Sequence, residues 1–229
     1  MDTTKVEKEI GVEFSDKSLI EMAFTHRSYV NENRNHKKSH NERLEFLGDA
    51  VLELSITDFL YKKFPNKAEG DLTLYRAALV NTDTLARVSA DIGLNDHILL
   101  SRGEAKDTGR ARHSILADVM ESVIGAVYLD KGYDVADKFI LENVAPLIDE
   151  IIKNKTWIDA KSMFQEKAQE IEGVTPHYDT LDEVGPDHDK IFVVGLYLGE
   201  ALVAKGEGKS KQEAAQDAAG NGLVVKNWE

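Results

Sequence analysis

Apolar residues recur at helical spacing through the first two thirds of the chain. Such runs cover residues 18–25, Glu42–Lys63, 72–92, 114–130 and 135–153. Between them lie helix breakers: a polar stretch over 31–39, residues 64–70 with Pro65, residues 103–109, and Lys131-Gly132. No strand-like alternation interrupts this half, so residues 1–152 are predicted to be nearly all helix. The period changes after Lys155. Residues 159–172 keep helical spacing. Residues 178–183, 190–198 and 201–207 then read as three short strands, with turns at Gly185-Pro186-Asp187 and Gly199-Glu200. An Ala-rich helix over 210–225 follows. The expected architecture is an all-α N-terminal domain over 1–153, a short polar linker over 154–158, and a small α+β domain of order α-β-β-β-α over 159–229. No internal repeat or low-complexity stretch appears.

The helical pattern places chemistry on one face. In Asn41-Glu-Arg-Leu-Glu-Phe-Leu-Gly-Asp49, Glu42, Glu45 and Asp49 fall at i, i+3 and i+7. Leu44, Phe46, Leu47, Ala50, Val51 and Leu54 surround them, so the helix is expected to be mostly buried. Acidic groups beside a buried face are costly unless paired or bound to a cation. A second pair, Asp118 and Glu121, sits at i, i+3 in the apolar run 114–130. Each segment carries a glycine on or near the acidic side, Gly48 and Gly125. Glycine inside a helix costs up to about 1 kcal/mol relative to Ala, and close approach of two helices would offset that. If the helices cross there, Glu45, Asp49, Asp118 and Glu121 converge on one oxygen-rich pocket suited to Mg²⁺, with Mn²⁺ as a substitute. No Glu precedes any of the seven histidines by three residues, which sets aside the Glu-x-x-His pattern of di-iron bundles.

Plainer readings stand beside these. Ser39-x-x-Glu42 fits a capping box. Asp49 has Arg43 and Arg76 as possible ion-pair partners. A hard divalent metal lowers the pKa of bound water and stabilises charge on a phosphoryl oxygen, so phosphodiester hydrolysis is the candidate reaction. The chain offers no competing nucleophile motif, no phosphate-binding Gly-x-x-x-x-Gly-Lys loop and no cysteine.

Charge complicates a nucleic-acid reading. The 229 residues carry a formal net charge of −13. Residues 157–229 hold 7 Lys against 14 Asp and Glu, a net of −7. Any RNA contact must therefore rest on local basic spots and bound metal. The absence of cysteine fits a reducing cytoplasm. The polar first residues do not resemble a signal peptide, and no apolar run approaches the ~18 residues of a membrane helix.

Thr25-His-Arg-Ser-Tyr29, the segment His40 to Leu52, Glu69-Gly-Asp-Leu72 and Ser114-Ile-Leu-Ala-Asp-Val-Met-Glu121 resemble, in order, the successive motifs of bacterial ribonuclease III, and the last third resembles a double-stranded-RNA-binding domain. The resemblance implies a Mg²⁺-dependent endonuclease cutting both strands of duplex RNA to 5′-phosphate and 3′-hydroxyl ends with short 3′ overhangs. Ribosomal precursors and other structured transcripts are the implied substrates. It makes Glu45, Asp49, Asp118 and Glu121 the metal ligands, with Glu42 and Glu69 in supporting catalytic roles. It also implies a homodimer with Phe46 at the contact, although the residue pattern alone fits an ordinary core Phe equally well. No membrane and no small-molecule cofactor are implied.

In the C-terminal third, Gln165 and Glu166 would reach the minor groove and His188 would come from the turn after the first strand. Lys209, Ser210 and Lys211 would meet phosphates at a helix start. Gln212 and Ala215 stand where the family usually has charge, which points to weak affinity at moderate salt. The alternative function is a dimeric duplex-binding regulator that does not cut.

Overall fold

A computed structural model describes residues 2–33, 39–106, 109–154, 159–186 and 190–228. The chain forms two compact units, Met1–Trp157 and Ile158–Glu229. Among the described residues, no helix is long and apolar enough to cross a membrane.

The first unit contains nine α-helices among its described residues: α1 Thr3–Ile10, α2 Lys17–Ala23, α3 Arg27–Glu32, α4 Glu42–Lys63, α5 Glu69–Val80, α6 Thr82–Asp91, α7 Arg110–Lys131, α8 Tyr133–Asn143 and α9 Ile148–Asn154. The central element is α7. Ile115, Leu116, Val119, Met120, Val123, Ile124 and Val127 are all buried, so it is apolar on most sides, as an enclosed helix must be. The α2, α4, α6 and α8 helices pack around it.

Two expected helices are each broken in two. The run 72–92 divides at Asn81, whose backbone is extended. The Asn81 side chain accepts from the Thr84 amide at 2.9 Å and caps α6. The run 135–153 divides at a short turn, Ala145–Leu147, which contains Pro146. In both cases the apolar face continues across the break, so periodicity hides it. Two short helices, α1 and α3, carry too little apolar pattern to be foreseen. The expected burial of α4 also needs correction. Leu44, Gly48, Val51, Leu52, Ser55, Ile56 and Leu60 form its buried stripe. Phe46, Ala50 and Leu54 face outward.

Among its described residues the second unit has α10 (Ala160–Glu172), three antiparallel strands β1 (His177–Val184), β2 (Ile191–Leu198) and β3 (Ala201–Gly208) in the order β1-β2-β3, and α11 (Lys211–Lys226). Val194, Leu196 and Leu198 turn one sheet face toward the helices. Ala214, Ala215, Ala218 and Ala219 are buried on α11. Small residues there let the helix lie close to the sheet. Position 215 is thus a buried packing site on α11. Trp228 packs on Phe164, with ring centroids 5.0 Å apart and planes tilted by 41°.

Candidate active site and RNA-binding face

The α4 and α7 helices cross at the two glycines. A Cβ on Gly48 would stand 1.8 Å from the Glu121 carbonyl oxygen, and one on Gly125 would stand 2.3 Å from that of Leu44. No other residue fits at either position without forcing the backbones apart. The crossing sets Glu45 and Asp49 of α4 against Asp118 and Glu121 of α7.

The consequence is electrostatic. Burial, then Asp118, Glu42 and Asp49, push the Glu45 carboxyl up to about 7. Burial, then Asp49, Glu45 and Asp118, push Glu121 up to about 8. Asp118 is raised by burial and by Glu42. Each of the four feels or imposes the repulsion of the others. Among the described residues, no Lys, Arg or His forms an ion pair with any of them. Arg76 is taken by Glu53 at 2.8 Å, which removes it as a partner for Asp49.

This donor set suits a hard cation: it is all oxygen, with Glu45, Asp118 and Glu121 half buried and Asp49 exposed, and has no counter-charge among the described residues. It is a shared electrostatic neighbourhood rather than a closed cage. Among the described residues, no three His, Asp or Glu side chains form a group that could hold an ion.

Glu42 stands at the edge of the cluster. Arg27 donates to it at 3.0 Å, and His40 Nδ1 lies 3.7 Å away. Asn41 precedes α4 without a side-chain cap bond, so Ser39 and Glu42 do not form a capping box. A strap holds this corner. The Asn41 amide donates to the Thr25 carbonyl at 3.0 Å, and the Ser122 hydroxyl to the Asn41 carbonyl at 3.4 Å. Among the described residues, His40 Nδ1 and Asn41 Nδ2 are buried without a hydrogen-bond partner. Arg27 and His40 are not among the expected site residues. They sit inside the motifs that carry the family resemblance, yet a contact 15 residues apart leaves no periodic trace.

Glu69 is not brought to the four. It is exposed at the start of α5, accepts from the Thr73 hydroxyl at 3.1 Å, and borders a groove of about 440 Å³ with Tyr61, Lys67 and Arg76. Phe46 is 81% exposed, so it is not a core residue. It borders a second groove, of about 590 Å³, with Met22, His40, Arg43, Leu47 and Leu129.

On the second unit, Gln165 and Glu166 are exposed on α10. Ser210 is the N-cap of α11, accepting from the Glu213 amide at 3.1 Å. Lys209 and Lys211 are exposed beside it. Lys211 pairs with Glu183 at 3.2 Å and lies 5.6 Å from the centre of the Phe192 ring. Gln212 is exposed. His188 lies outside the described residues.

Known proteins are similar to this chain. The sequence matches the Ribonuclease-III-like family over residues 16–148 and the double-stranded RNA binding motif over residues 160–223. It is 44% identical to ribonuclease 3 of Borreliella burgdorferi over 94% of this chain and 88% of that one. It is 45% identical to ribonuclease 3 of Enterococcus faecalis over 96% of each. The nuclease domain of ribonuclease III from Campylobacter jejuni superposes with a TM-score of 0.57 at 41% identity, covering 63% of this chain and 95% of that domain. With helical nuclease unit, duplex-RNA-binding unit and near full-length relatives in hand, the chain belongs to the ribonuclease III family and is a ribonuclease.

Proposed function

We propose that this protein is a divalent-metal-dependent endonuclease that hydrolyses both strands of double-stranded RNA. The observation that carries the reading is the cluster of four carboxylates at the Gly48–Gly125 crossing, two of them raised to about 7 and about 8 with no cationic partner among the described residues. A pure duplex binder gains nothing from acids placed against a polyanion.

Glu45, Asp49, Asp118 and Glu121 would hold the metal, Mg²⁺ with Mn²⁺ as substitute. Bound there, such an ion activates water and stabilises charge on the scissile phosphate. The Arg27 guanidinium holds the Glu42 carboxylate at the rim. The second unit supplies duplex recognition by shape and backbone. Gln165 and Glu166 face a minor groove, while Lys209, Ser210 and Lys211 meet phosphates at a helix N-terminus. Glu69 is assigned a supporting role at the groove it borders.

A homodimer with Phe46 at the contact is part of the reading. A nearly bare Phe beside an apolar groove is self-complementary, which suits a two-fold interface. A second Campylobacter jejuni nuclease-domain structure is known for flexibility in a region involved in dimer formation. That chain is 40% identical over 63% of this one, with a TM-score of 0.56. Products with 5′-phosphate and 3′-hydroxyl ends and short 3′ overhangs, substrates among ribosomal precursors and other structured transcripts, and a cytoplasmic site of action complete the proposal.

The test is cleavage of a plain RNA duplex with and without Mg²⁺, comparing the chain with Glu121→Ala. Metal-dependent cutting of both strands to 5′-phosphate ends, lost in the variant with binding retained, supports the reading. Binding without cutting under any divalent metal would replace it with a non-cleaving regulator.

A further inference from the structure

The sheet of the second unit has two unlike faces. One is covered by α10 and α11. The other should be polar, since the outer face of a half-covered antiparallel sheet meets water. Here each strand contributes an apolar or aromatic side chain to it. Leu181 of β1, Tyr197 of β2 and Leu202 of β3 meet over Gly195. The position of a Gly195 Cβ would be 2.8 Å from Tyr197 Cε2, 3.0 Å from Leu202 Cδ1 and 3.1 Å from Leu181 Cδ1. His177 lies flat on the Tyr197 ring, with centroids 5.1 Å apart and planes 12° apart.

Covering Gly195 accounts for part of this clustering. It does not account for what stays bare: Leu181 is 40% exposed and Leu202 46%. The border of the patch is acidic. Cross-strand partners share a face, and among the described residues the pairs Asp179–Gly195, Asp182–Val193 and Val193–Glu207 put three carboxylates beside it against one ammonium, Lys205, opposite Gly195, with His177 3.6 Å from Asp179. An apolar centre within a negative rim repels a nucleic-acid backbone and attracts a cationic apolar chain. The Ala-rich face of α11 and the inward face of α10 lie on the other side of the sheet.

We infer that the outer sheet face, centred on Leu181, Tyr197 and Leu202, is a docking surface for a protein partner that presents a basic, apolar segment. The charge complementarity argues for that occupant. This goes beyond duplex recognition: it gives the acidic balance of residues 157–229 a use on the face that RNA would avoid.

The test uses the full chain in EDTA and a fluorescent synthetic helix with one leucine face and one lysine face, followed by anisotropy. A matched peptide with glutamate in place of lysine is the control. The lysine peptide should bind and the glutamate peptide should not. Leu202→Glu and Leu181→Glu should each weaken binding by about tenfold. Both positions are too exposed to carry the fold, and melting curves check this. These substitutions add negative charge, so general attraction to an acidic protein would strengthen binding instead. Val225→Glu, at an exposed apolar site on α11, should change nothing. Equal or tighter binding by Leu202→Glu and Leu181→Glu overturns the inference as mere charge attraction. If the peptide fails to bind while Leu202→Glu abolishes an association of the chain with itself, the face joins two copies and the inference also fails.

Discussion

The Cα of Gly48 faces the carbonyl oxygen of Glu121 so closely that one added methyl carbon would lie 1.8 Å from it. The obstruction is backbone and has no rotamer to yield. Gly48→Ala should therefore separate α4 from α7 and cost about 1–3 kcal/mol or more. It should also lose cleavage, because the four carboxylates come from both helices. Urea denaturation together with duplex cleavage checks this. A Gly48→Ala chain with the native midpoint and native activity would mean that the two backbones can part without consequence.

The same crossing sets a pH dependence. Glu45 and Glu121 have folded-state values near 7 and 8 against an ordinary value of 4.5. The folded state therefore binds more protons than the unfolded one through this window. Its stability from these groups is whole below 4.5 and is lost as pH rises through about 8. In EDTA the melting temperature should fall across that range. Mg²⁺ should restore it at the alkaline end by favouring the ionised carboxylates. Glu121→Gln should flatten the fall and raise alkaline stability without metal, while abolishing cleavage. A pH-independent melting temperature in EDTA would contradict the buried repulsion.

Lys211 offers a contact that is already engaged. In the free protein its ammonium pairs with Glu183, whose carboxyl is held below its usual value by Lys190 and Lys211. Phosphate must compete with that pair. Lys211→Ala should weaken duplex binding whatever the RNA sequence and lower the salt slope by about one unit. Glu183→Gln should instead tighten binding by freeing the lysine. Filter binding across a salt series measures both, and an unchanged slope for Lys211→Ala would remove the contact.

Phe46 projects from α4 and is 81% exposed. Phe46→Glu should leave the fold and its thermal transition intact while converting a dimer to a monomer in sedimentation. A monomeric wild-type chain, or a dimer indifferent to the substitution, would return Phe46 to an unassigned surface residue.

Much of the fold is legible in the order of residues alone. The α4 boundaries, the helical first unit, the helix–three strands–helix order and the pairing of Gly48 with Gly125 follow from local patterns. Spacing of 3.6 or 2 residues and a glycine beside a carboxylate are properties of neighbouring residues. The breaks at Asn81 and Pro146 are hidden because the apolar face runs through them, although a capping Asn and a Pro stand at the two positions. Local pattern overstates the burial of α4 for a related reason. Phe46 and Leu54 look like core residues in a window of sequence, and only the positions of the neighbouring helices, α7, α5 and α8 above all, select the stripe from Leu44 to Leu60 that is covered.

The site divides in the same way. Residue type and helical spacing are enough to nominate Glu45, Asp49, Asp118 and Glu121 and to make their chemistry that of a hard cation. What they do not supply is the raised pKa values of Glu45 and Glu121, the holding of Glu42 by Arg27, or the separation of Glu69 from the rest. Those depend on distances between segments 15 to more than 70 residues apart, and a through-space field has no signature in the order of residues. The outer face of the sheet is the clearest case. Leu181, Tyr197 and Leu202 lie in three different strands, and they become one surface only when β1, β2 and β3 take up their register.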